Sequence, residues 1–245
     1  MRTTSAVVAL LGLLGCGGNV TGPSSVMVEA EPAAPTWRQD RTDLLNWFLG
    51  HHPENLGVQA IPVEKGPHGF YSTIGQLSLH WEGGQHSGEA RYVKSQFPDS
   101  WEHYRWDAGA IYLAEDHQQY GANHNSYQFT RATWCARRAH LGDGGRDADN
   151  LVRVYKDPCI FQLQAPAPHE WLFSGQGTQD FGGDVGVQDY ITLDFILGSN
   201  VERFWYTWEW GWIRHQAFDR SGMFHDWLSN RIMTQAPIPG EECRE

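Results

Sequence analysis

The sequence predicts an all-β domain, built as an antiparallel two-sheet sandwich or a flattened barrel with one N-terminal helix. From residue 58 onward, short runs of β-forming residues alternate with turn residues, a spacing typical of antiparallel sheets. Aromatic residues make up 13% of the chain and charged residues only 19%, which favours a packed core over disorder. The length of 245 residues fits one domain, since sandwiches and barrels commonly reach this size.

The helix is predicted over residues 36–50. Thr36 is expected to cap it, because a glutamine follows three residues later as in a capping box. Leu44 and Phe48 lie one helical turn apart on the apolar face. Gly50 is expected to end the helix, which we expect to pack on the domain as a lid.

The strands follow as short runs separated by turn residues. We predict them near residues 58–63, 69–82, 90–95, 101–106, 111–114, 126–130, 134–141, 151–155, 160–164, 188–197, 201–208 and 212–218. The segments 140–149 and 174–186 are glycine-rich and are expected to be loops. Residues 223–233 fit a last strand or a short helix equally well.

Two tight hairpins are predicted, one at Asp107-Ala108-Gly109 and one at Glu209-Trp210-Gly211. Each joins an aromatic-rich strand to a second strand. In each hairpin the glycine can adopt the positive φ that a tight turn requires.

The N-terminus combines Arg2, an apolar run over residues 5–15 and Cys16 directly after Leu13-Leu14-Gly15. A signal peptide has a positively charged N-terminus, a short apolar segment and small residues before its cleavage site. The run is too short to span a bilayer, which needs about 20 apolar residues. This stretch resembles the signal and lipobox of bacterial lipoproteins, in which the cysteine becomes lipidated; an ordinary cleaved signal is the alternative.

The resemblance implies a signal peptide over residues 1–15 and lipidation at Cys16, so that acyl chains anchor the protein to a lipid bilayer of the bacterial cell envelope. Gly17 follows in place of an acidic residue, which in lipoproteins of the enteric type favours the outer membrane. Residues 16–35 are small, polar and proline-containing, and we interpret them as a flexible tether. Residues 36–245 then form the single β-rich domain.

The charge and the missing motifs exclude several classes of function. The formal net charge of −11 repels phosphate groups, so nucleic acid is not an expected partner. Residues 142–145 are glycine-rich but lack the following Lys-Ser/Thr of a phosphate loop, and the chain has no G-x-S-x-G elbow. We therefore expect no nucleotide cofactor, indeed no cofactor at all, and no serine hydrolase chemistry.

The 12 tryptophans suggest a function beyond core packing, because flat indole rings stack on sugars. The leading hypothesis is a non-catalytic module that binds a glycan through exposed aromatic residues. A structural or assembly lipoprotein that binds an envelope protein is an alternative. The expected stacking residues are Trp101, Trp106, Trp208, Trp210 and Trp212.

The enzyme alternative is a glycoside hydrolase that uses Glu209, which lies between Trp208 and Trp210. An apolar pocket raises the pKa of a carboxyl group and suits it to general acid catalysis. Such enzymes need a second carboxylate about 5–9 Å away. Asp107 and Asp194 are the candidates for this role.

A metal site is only weakly indicated, and no cluster of the zinc-binding type is present. Carboxylates and imidazoles at a strand end could hold a divalent ion. The weak candidates are Glu115, Asp116, His117 and His124.

One disulfide is predicted, because an exported protein works where disulfides persist. Apart from Cys16, the chain has Cys135, Cys159 and Cys243, which allows three pairings. We favour Cys135–Cys159, since Cys243 lies in a charged tail near the end of the chain.

Overall fold

The computed structural model of the chain describes residues 42–51, 56–60, 75–94, 100–120, 123–156 and 159–233. Within these ranges it forms sixteen strands and one short helix, so the predicted all-β class is confirmed. The elements are β1 (Thr42–Asp43), α1 (Leu44–Leu49), β2 (Leu56–Ala60), β3 (Gly75–Gly83), β4 (Gly88–Lys94), β5 (Ser100–Trp106), β6 (Ala110–Tyr120), β7 (Asn123–Ala136), β8 (Arg138–Ala139), β9 (Gly144–Asp147), β10 (Leu151–Lys156), β11 (Ile160–Pro166), β12 (His169–Asp180), β13 (Val187–Leu197), β14 (Asn200–Thr207), β15 (Gly211–Asp219) and β16 (Gly222–Ile232).

Fourteen of these strands form one antiparallel sheet, in the order β11-β10-β7-β6-β5-β4-β3-β2-β16-β15-β14-β13-β12-β9, while β1 and β8 pair separately. The sheet folds back on itself in a sandwich-like arrangement, so that β4–β7 face β13–β15 across the core. Two ring contacts show this packing: Tyr92 meets Trp212 with ring centroids 5.2 Å apart, and Trp134 meets Phe204 at 4.5 Å.

Side chains close the sandwich along a seam where β9 and β12 reach β7. The backbone N–H of Thr133 donates to Asp147 Oδ2 over 2.6 Å, and His169 Nε2 donates to the Thr133 carbonyl over 3.1 Å. Strands β10 and β11 extend beyond this seam. As a result β11 exposes large apolar side chains, among them Ile160 at 60% of its surface.

The core between the walls is aromatic, which explains much of the high tryptophan content. Its buried rings stack and meet edge to edge, as favoured by their quadrupoles. Its aromatic members include Trp47, Phe48, Tyr92, Tyr104, Trp106, Trp134, Trp171, Phe173, Phe195, Phe204, Tyr206, Trp212 and Trp227.

A second, smaller cluster lies on the outer face of β15 and β16. The loop over residues 181–186 folds across this face, so that Phe181 and Val185 pack with Ile213 and Leu228. Asn230 fixes the loop, because its side-chain amide donates to the Phe181 carbonyl over 2.9 Å.

The helix is shorter than predicted. It covers only Leu44–Leu49, because Thr42 and Asp43 pair with β8 as a strand. The N-cap is therefore Asp43, whose side chain accepts a hydrogen bond from the N–H of Leu45. Gly50 ends the helix as predicted, with φ at +68°. The proposed cap at Thr36 lies outside the described residues, as do the predicted leader and tether.

Most predicted strands are confirmed where they fall on described residues, while residues 61–63, 69–74 and 95 of the predicted strands lie outside them; three described segments differ. The separate strands predicted at 126–130 and 134–141 are largely one strand, β7, and the predicted loop over 140–149 contains β9. The glycine-rich segment from residue 174 belongs to β12 up to Asp180. There a Cβ on Gly175 would lie 2.6 Å from Thr192 Oγ1. Glycine within this strand therefore leaves room for a side chain of the neighbouring strand.

Both predicted hairpins form, β5–β6 around residues 107–109 and β14–β15 around residues 208–210. Gly211 has the expected positive φ of +68°, whereas Gly109 is not in the left-handed region. Residues 223–232 form a strand, β16. Within the described residues, no helix has the length and apolarity to cross a membrane.

Candidate functional site

The two ends of the sandwich are chemically different. At the closed end, α1 lies between the walls, and its last turn contacts Tyr92, whose hydroxyl donates to the Phe48 carbonyl. The turns at residues 84–87, 107–109 and 208–210 surround this end. The turns at residues 198–199 and 220–221 mark the opposite end, which we call the open end because no helix of the described residues lies between the walls there.

The first wall of the open end carries two carboxylates side by side. Side chains alternate along β5, so Glu102 shares the inner face with the core residues Tyr104 and Trp106. Register places Glu102 directly opposite Asp116 on β6, and Asp116 opposite Tyr127 on β7. Both carboxylates therefore face the space between the walls.

Tyr104 binds the first of these carboxylates. Its hydroxyl donates to Glu102 Oε2 over 2.6 Å. Burial raises the pKa of Tyr104 well above its usual range, and the negative charges of Glu102 and Asp116 add to the rise. The phenol therefore stays protonated and remains a hydrogen-bond donor to Glu102.

Two further tyrosines, Tyr92 and Tyr206, place hydroxyl groups deeper in the core, beyond Tyr104 and Glu102. Burial raises the pKa of Tyr92 and of Tyr206, and the charge of Glu102 contributes to both. The indole N–H of Trp134 donates to the Tyr206 hydroxyl over 3.0 Å. The inner hydroxyl groups are thus neutral and hydrogen-bonded, as buried polar groups require.

The second wall carries a carboxylate and two imidazoles. His215 lies opposite Phe204, a core residue, so it faces inward. Its Nε2 is 3.3 Å from Glu202 Oε2, and its ring centroid is 5.2 Å from that of His225. The Glu202 side chain is 44% exposed, which shows that the inner face reaches solvent at this end.

Aromatic contacts connect the two walls just beneath these groups. Trp134 packs against Tyr104 with centroids 5.1 Å apart and against Phe204 at 4.5 Å. Phe204 in turn contacts His215 at 4.8 Å. Above this aromatic floor lies the group that we call the mouth, which consists of Glu102, Asp116, Tyr127, Glu202, His215 and His225.

The mouth combines carboxylate hydrogen-bond acceptors with imidazole rings. Carboxylate oxygens accept hydrogen bonds from ligand hydroxyl or ammonium groups, and such charge-assisted bonds are stronger than neutral ones. Each ring nitrogen of an imidazole donates or accepts a hydrogen bond according to the tautomer. The arrangement is suited to binding a hydroxyl-rich ligand or to proton transfer.

Most of the predicted stacking tryptophans are unavailable to a ligand. Trp101, Trp106 and Trp212 are buried, so assigning them to a binding surface was wrong. Trp210 is half-buried against the second cluster. Only Trp208 is exposed, at 37%.

Neighbouring rings cover part of the surface of Trp208. Trp208 stacks on His51 with centroids 4.2 Å apart and meets the edge of Trp47 at 5.6 Å. Trp81 is also exposed, at 48%, although it is not among the tryptophans predicted to bind a ligand. The described residues thus do not form the flat five-tryptophan platform that the sequence suggested.

The predicted catalytic carboxylates have structural partners. Asp107 accepts the N–H groups of Gly109 and Ala110 in the β5–β6 turn. Asp194 lies on the outer face of β13, where Arg203 binds it through two hydrogen bonds of 2.7 and 2.8 Å. Glu209 lies half-buried in the β14–β15 turn, at the closed end.

The weak metal candidates do not converge. Asp116 faces the interior, whereas Glu115 and His117 point to the outer face of β6. There Glu115 accepts the Ser126 hydroxyl, and the His117 ring stacks on Trp101 at 3.8 Å. The side chain of His124 lies outside the described residues, among which no group of three or more potential ligands is suited to a metal ion.

The predicted Cys135–Cys159 disulfide is wrong. Cys135 is a free thiol with no exposed surface, and it lies opposite Ile111 in the core. Burial raises its pKa, which makes the thiol unreactive. Cys159 lies at the start of β11, with φ at +74°.

The mouth residues were mostly missed at the sequence level, although a signal was present. Period-two alternation in residues 101–106 places Glu102 on the face of Tyr104 and Trp106. An acidic residue on an otherwise aromatic core face is unusual and marks a candidate site. Its partner Asp116 follows only from the strand register.

Comparison of this chain with protein-family models, with curated proteins and with solved structures finds no match.

Proposed function

We propose that this chain is a lipid-anchored protein of the bacterial cell envelope, held in the outer membrane, and that it binds a glycan at the mouth. The observation that carries the ligand proposal is the pairing of Glu102 with Asp116 on one wall and of Glu202 with His215 on the other. These groups accept and donate hydrogen bonds to sugar hydroxyls, and the aromatic floor supplies apolar contact.

The ligand proposal differs from the sequence hypothesis in where the sugar binds. The five expected tryptophans are mostly buried, so carboxylates and imidazoles take the main part. The net charge of −11 favours a neutral or cationic glycan over a phosphorylated or sulfated one, because like charges repel.

A panel of polysaccharides tests this proposal by affinity electrophoresis and calorimetry. Glu102→Gln should weaken binding about 10-fold or more, since a charge-assisted hydrogen bond contributes about 1.5–3 kcal/mol. The matched control is Glu170→Gln, an exposed glutamate on β12, which should leave affinity unchanged. Absence of binding to every polysaccharide by the folded protein contradicts the proposal.

Glycoside hydrolysis is a second candidate function, supported by the register of the first wall. Side chains directly opposite on antiparallel strands have Cβ atoms about 4.5–5.5 Å apart. Retaining glycosidases place their two carboxyl groups about 5–5.5 Å apart. Glu102 and Asp116 are directly opposite each other, so we take them as the acid pair in place of Glu209 and its predicted partners.

Release of reducing sugar ends distinguishes the enzyme from the binding protein. If the pair is catalytic, Glu102→Gln and Asp116→Asn each abolish release while the melting temperature stays nearly constant. Binding without any release supports the non-catalytic function.

The anchor is tested by labelling cells with a fatty acid that can be detected after purification. The wild-type protein should carry the label, and Cys16→Ser should lose it. Cys243→Ser is the matched control and should keep it. A labelled Cys16→Ser variant, or an unlabelled wild type with its leader intact, contradicts the lipid anchor.

A further inference from the structure

The β10–β11 hairpin exposes three large apolar side chains that lie close together in sequence. Ile160, Phe161 and Leu163 on β11 expose 60%, 55% and 48% of their surface. Every residue from Ile160 to Gln164 is exposed, so no other described element covers either face of the strand there. In the described sheet, β11 is the last strand and pairs only with β10. The hairpin therefore presents an apolar edge to its surroundings.

Strand register places these apolar side chains on both faces of β11. Phe161 lies opposite Tyr155 on β10, whereas Leu163 lies opposite Val154. Neighbouring residues of a strand point to opposite faces, and directly opposite residues of paired strands share a face. Phe161 and Leu163 therefore lie on different faces, so a protein partner packed on one face would leave the other side chain exposed.

The edge of β11 is poorly suited to a second copy of this chain. The register shifts between Val154 and Tyr155, so Gln162 is an extra residue that forms a β-bulge, and Pro166 ends the strand without an N–H group. Bulges and prolines keep edge strands from pairing with other strands. Three half-exposed side chains supply on the order of 300 Å² of apolar surface, whereas a standard interface buries about 800 Å² on each partner.

The charge of the hairpin differs from that of the whole chain. Residues 151–166 contain two bases, Arg153 and Lys156, and one acid, Asp157, which gives a net charge of +1, whereas the chain carries −11. Lys156 is exposed and lies opposite Ile160. At physiological salt, exposed charges interact strongly only within about 8 Å, so the local charge decides what approaches. Anionic lipid headgroups attract basic residues that lie next to them.

We propose that the β10–β11 hairpin is a membrane-contact site, at which Ile160, Phe161 and Leu163 insert into an anionic bilayer surface. A bilayer is fluid, so lipids cover both faces of the strand at once, and Lys156 lies among the headgroups. The insertion is shallow, at the boundary between headgroups and acyl chains, because the unpaired N–H and C=O groups of the edge need water. This contact is separate from the acyl anchor at Cys16 and orients the domain on the membrane.

Vesicle flotation tests this contact with the full-length chain carrying Cys16→Ser, so that no acyl chain contributes. The vesicles consist of phosphatidylethanolamine with a minor share of phosphatidylglycerol. We expect the protein to float with them, and Leu163→Asp to weaken binding about 10-fold or more, because a charge among acyl chains is costly. Val187→Asp is the matched control, since Val187 is 65% exposed on β13; it should bind like its parent.

Lys156→Gln provides a second readout. It should weaken binding to these vesicles about fivefold, which is the contribution of one basic residue near an anionic surface. Binding to vesicles of phosphatidylcholine alone should not change, because their surface carries no net charge. An equal loss on both kinds of vesicle would contradict the role of this charge.

Circular dichroism checks that every variant is folded. Absence of flotation by the folded protein, or equal losses in Leu163→Asp and Val187→Asp, overturns the proposal. A dimer that Leu163→Asp dissociates, without vesicle binding, would assign the hairpin to a second copy of the chain and also overturns it. Glycan binding and fatty-acid labelling are measured separately, so the outcome here does not depend on either.

Discussion

The closed and open ends of the sandwich fill the space between the same two walls in different ways. At the closed end, α1 inserts apolar side chains, and the guanidinium of Arg137 and the hydroxyl of Tyr92 have hydrogen-bond partners there. At the open end, Glu102, Asp116 and Glu202 face the space from both walls. Charged side chains on a core face lower the stability of the fold. Their presence at the open end therefore indicates that they contact a ligand.

Arg137 illustrates how the closed end is held. It is 7% exposed, and its guanidinium donates to Asp43 from Nε over 3.2 Å and from Nη2 over 3.3 Å. It also donates to the side chain of Gln85 over 2.7 Å. One residue thereby connects the strand before α1, the β3–β4 turn and the segment after β7.

The largest predicted effect follows from removing this residue. Arg137→Met should lower the free energy of unfolding by about 3–5 kcal/mol, because it leaves the Asp43 carboxylate without its buried cation. Urea unfolding measures the change. The adjacent, exposed Arg138→Met is the control and should change stability by less than about 0.5 kcal/mol. Equal effects of the two variants would show that the closed end does not depend on this contact.

The sequence predicts the fold well where local chemistry decides it. Both hairpins lie where glycine follows an aromatic strand, and Gly50 ends the helix as expected. The start of the helix was wrong because strand pairing of Thr42 and Asp43 with β8 overrides the local preference. That pairing joins distant parts of the chain and has no local signal.

The candidate site was harder to predict, because it depends on which face each side chain occupies. Trp101 and Trp106 are near in sequence, yet alternation sends them to opposite faces of β5 and both are buried. A register shift between Leu113 and Glu115 determines that Asp116 faces inward. Such a bulge moves side chains to the other face, and no local sequence pattern indicates its position.

The second prediction compares one glycine at each end, both with positive φ. Gly50 has φ +68°, and a Cβ there would lie 2.5 Å from the backbone nitrogen of Gly211. Gly198, in the β13–β14 turn at the open end, has φ +62° and no atom within 4 Å of such a Cβ. Left-handed backbone costs an alanine about 1–2 kcal/mol at either position, and the clash adds about 1–3 kcal/mol at Gly50 only.

Gly50→Ala should therefore destabilise the protein by about 2–5 kcal/mol and Gly198→Ala by about 1–2 kcal/mol. Thermal unfolding of both variants measures the difference. Glycan binding at the mouth should survive both changes, since neither glycine belongs to it. If Gly198→Ala is the more damaging variant, the closed end is not the more tightly packed one.

The smallest predicted effect concerns Asp107, which the sequence proposed as a catalytic acid. Hydrogen bonds from the N–H of Gly109 and the N–H of Ala110 lower its pKa. A lowered pKa in the folded state contributes stability above the unfolded value of about 3.9, and this contribution is lost as pH falls through the folded pKa. The carboxylate is exposed, so solvent screening reduces the effect to about 0.5 kcal/mol.

Asp107→Asn should thus lower stability slightly at pH 7, and its difference from the wild type should shrink below about pH 4. Urea unfolding between pH 3 and pH 7 measures this trend. The control is Asp149→Asn, an exposed carboxylate in the β9–β10 turn, which should match the wild type throughout. If Asp107→Asn instead removes glycan binding without this pH trend, Asp107 belongs to a ligand site, and the functional distinction between the two ends does not hold.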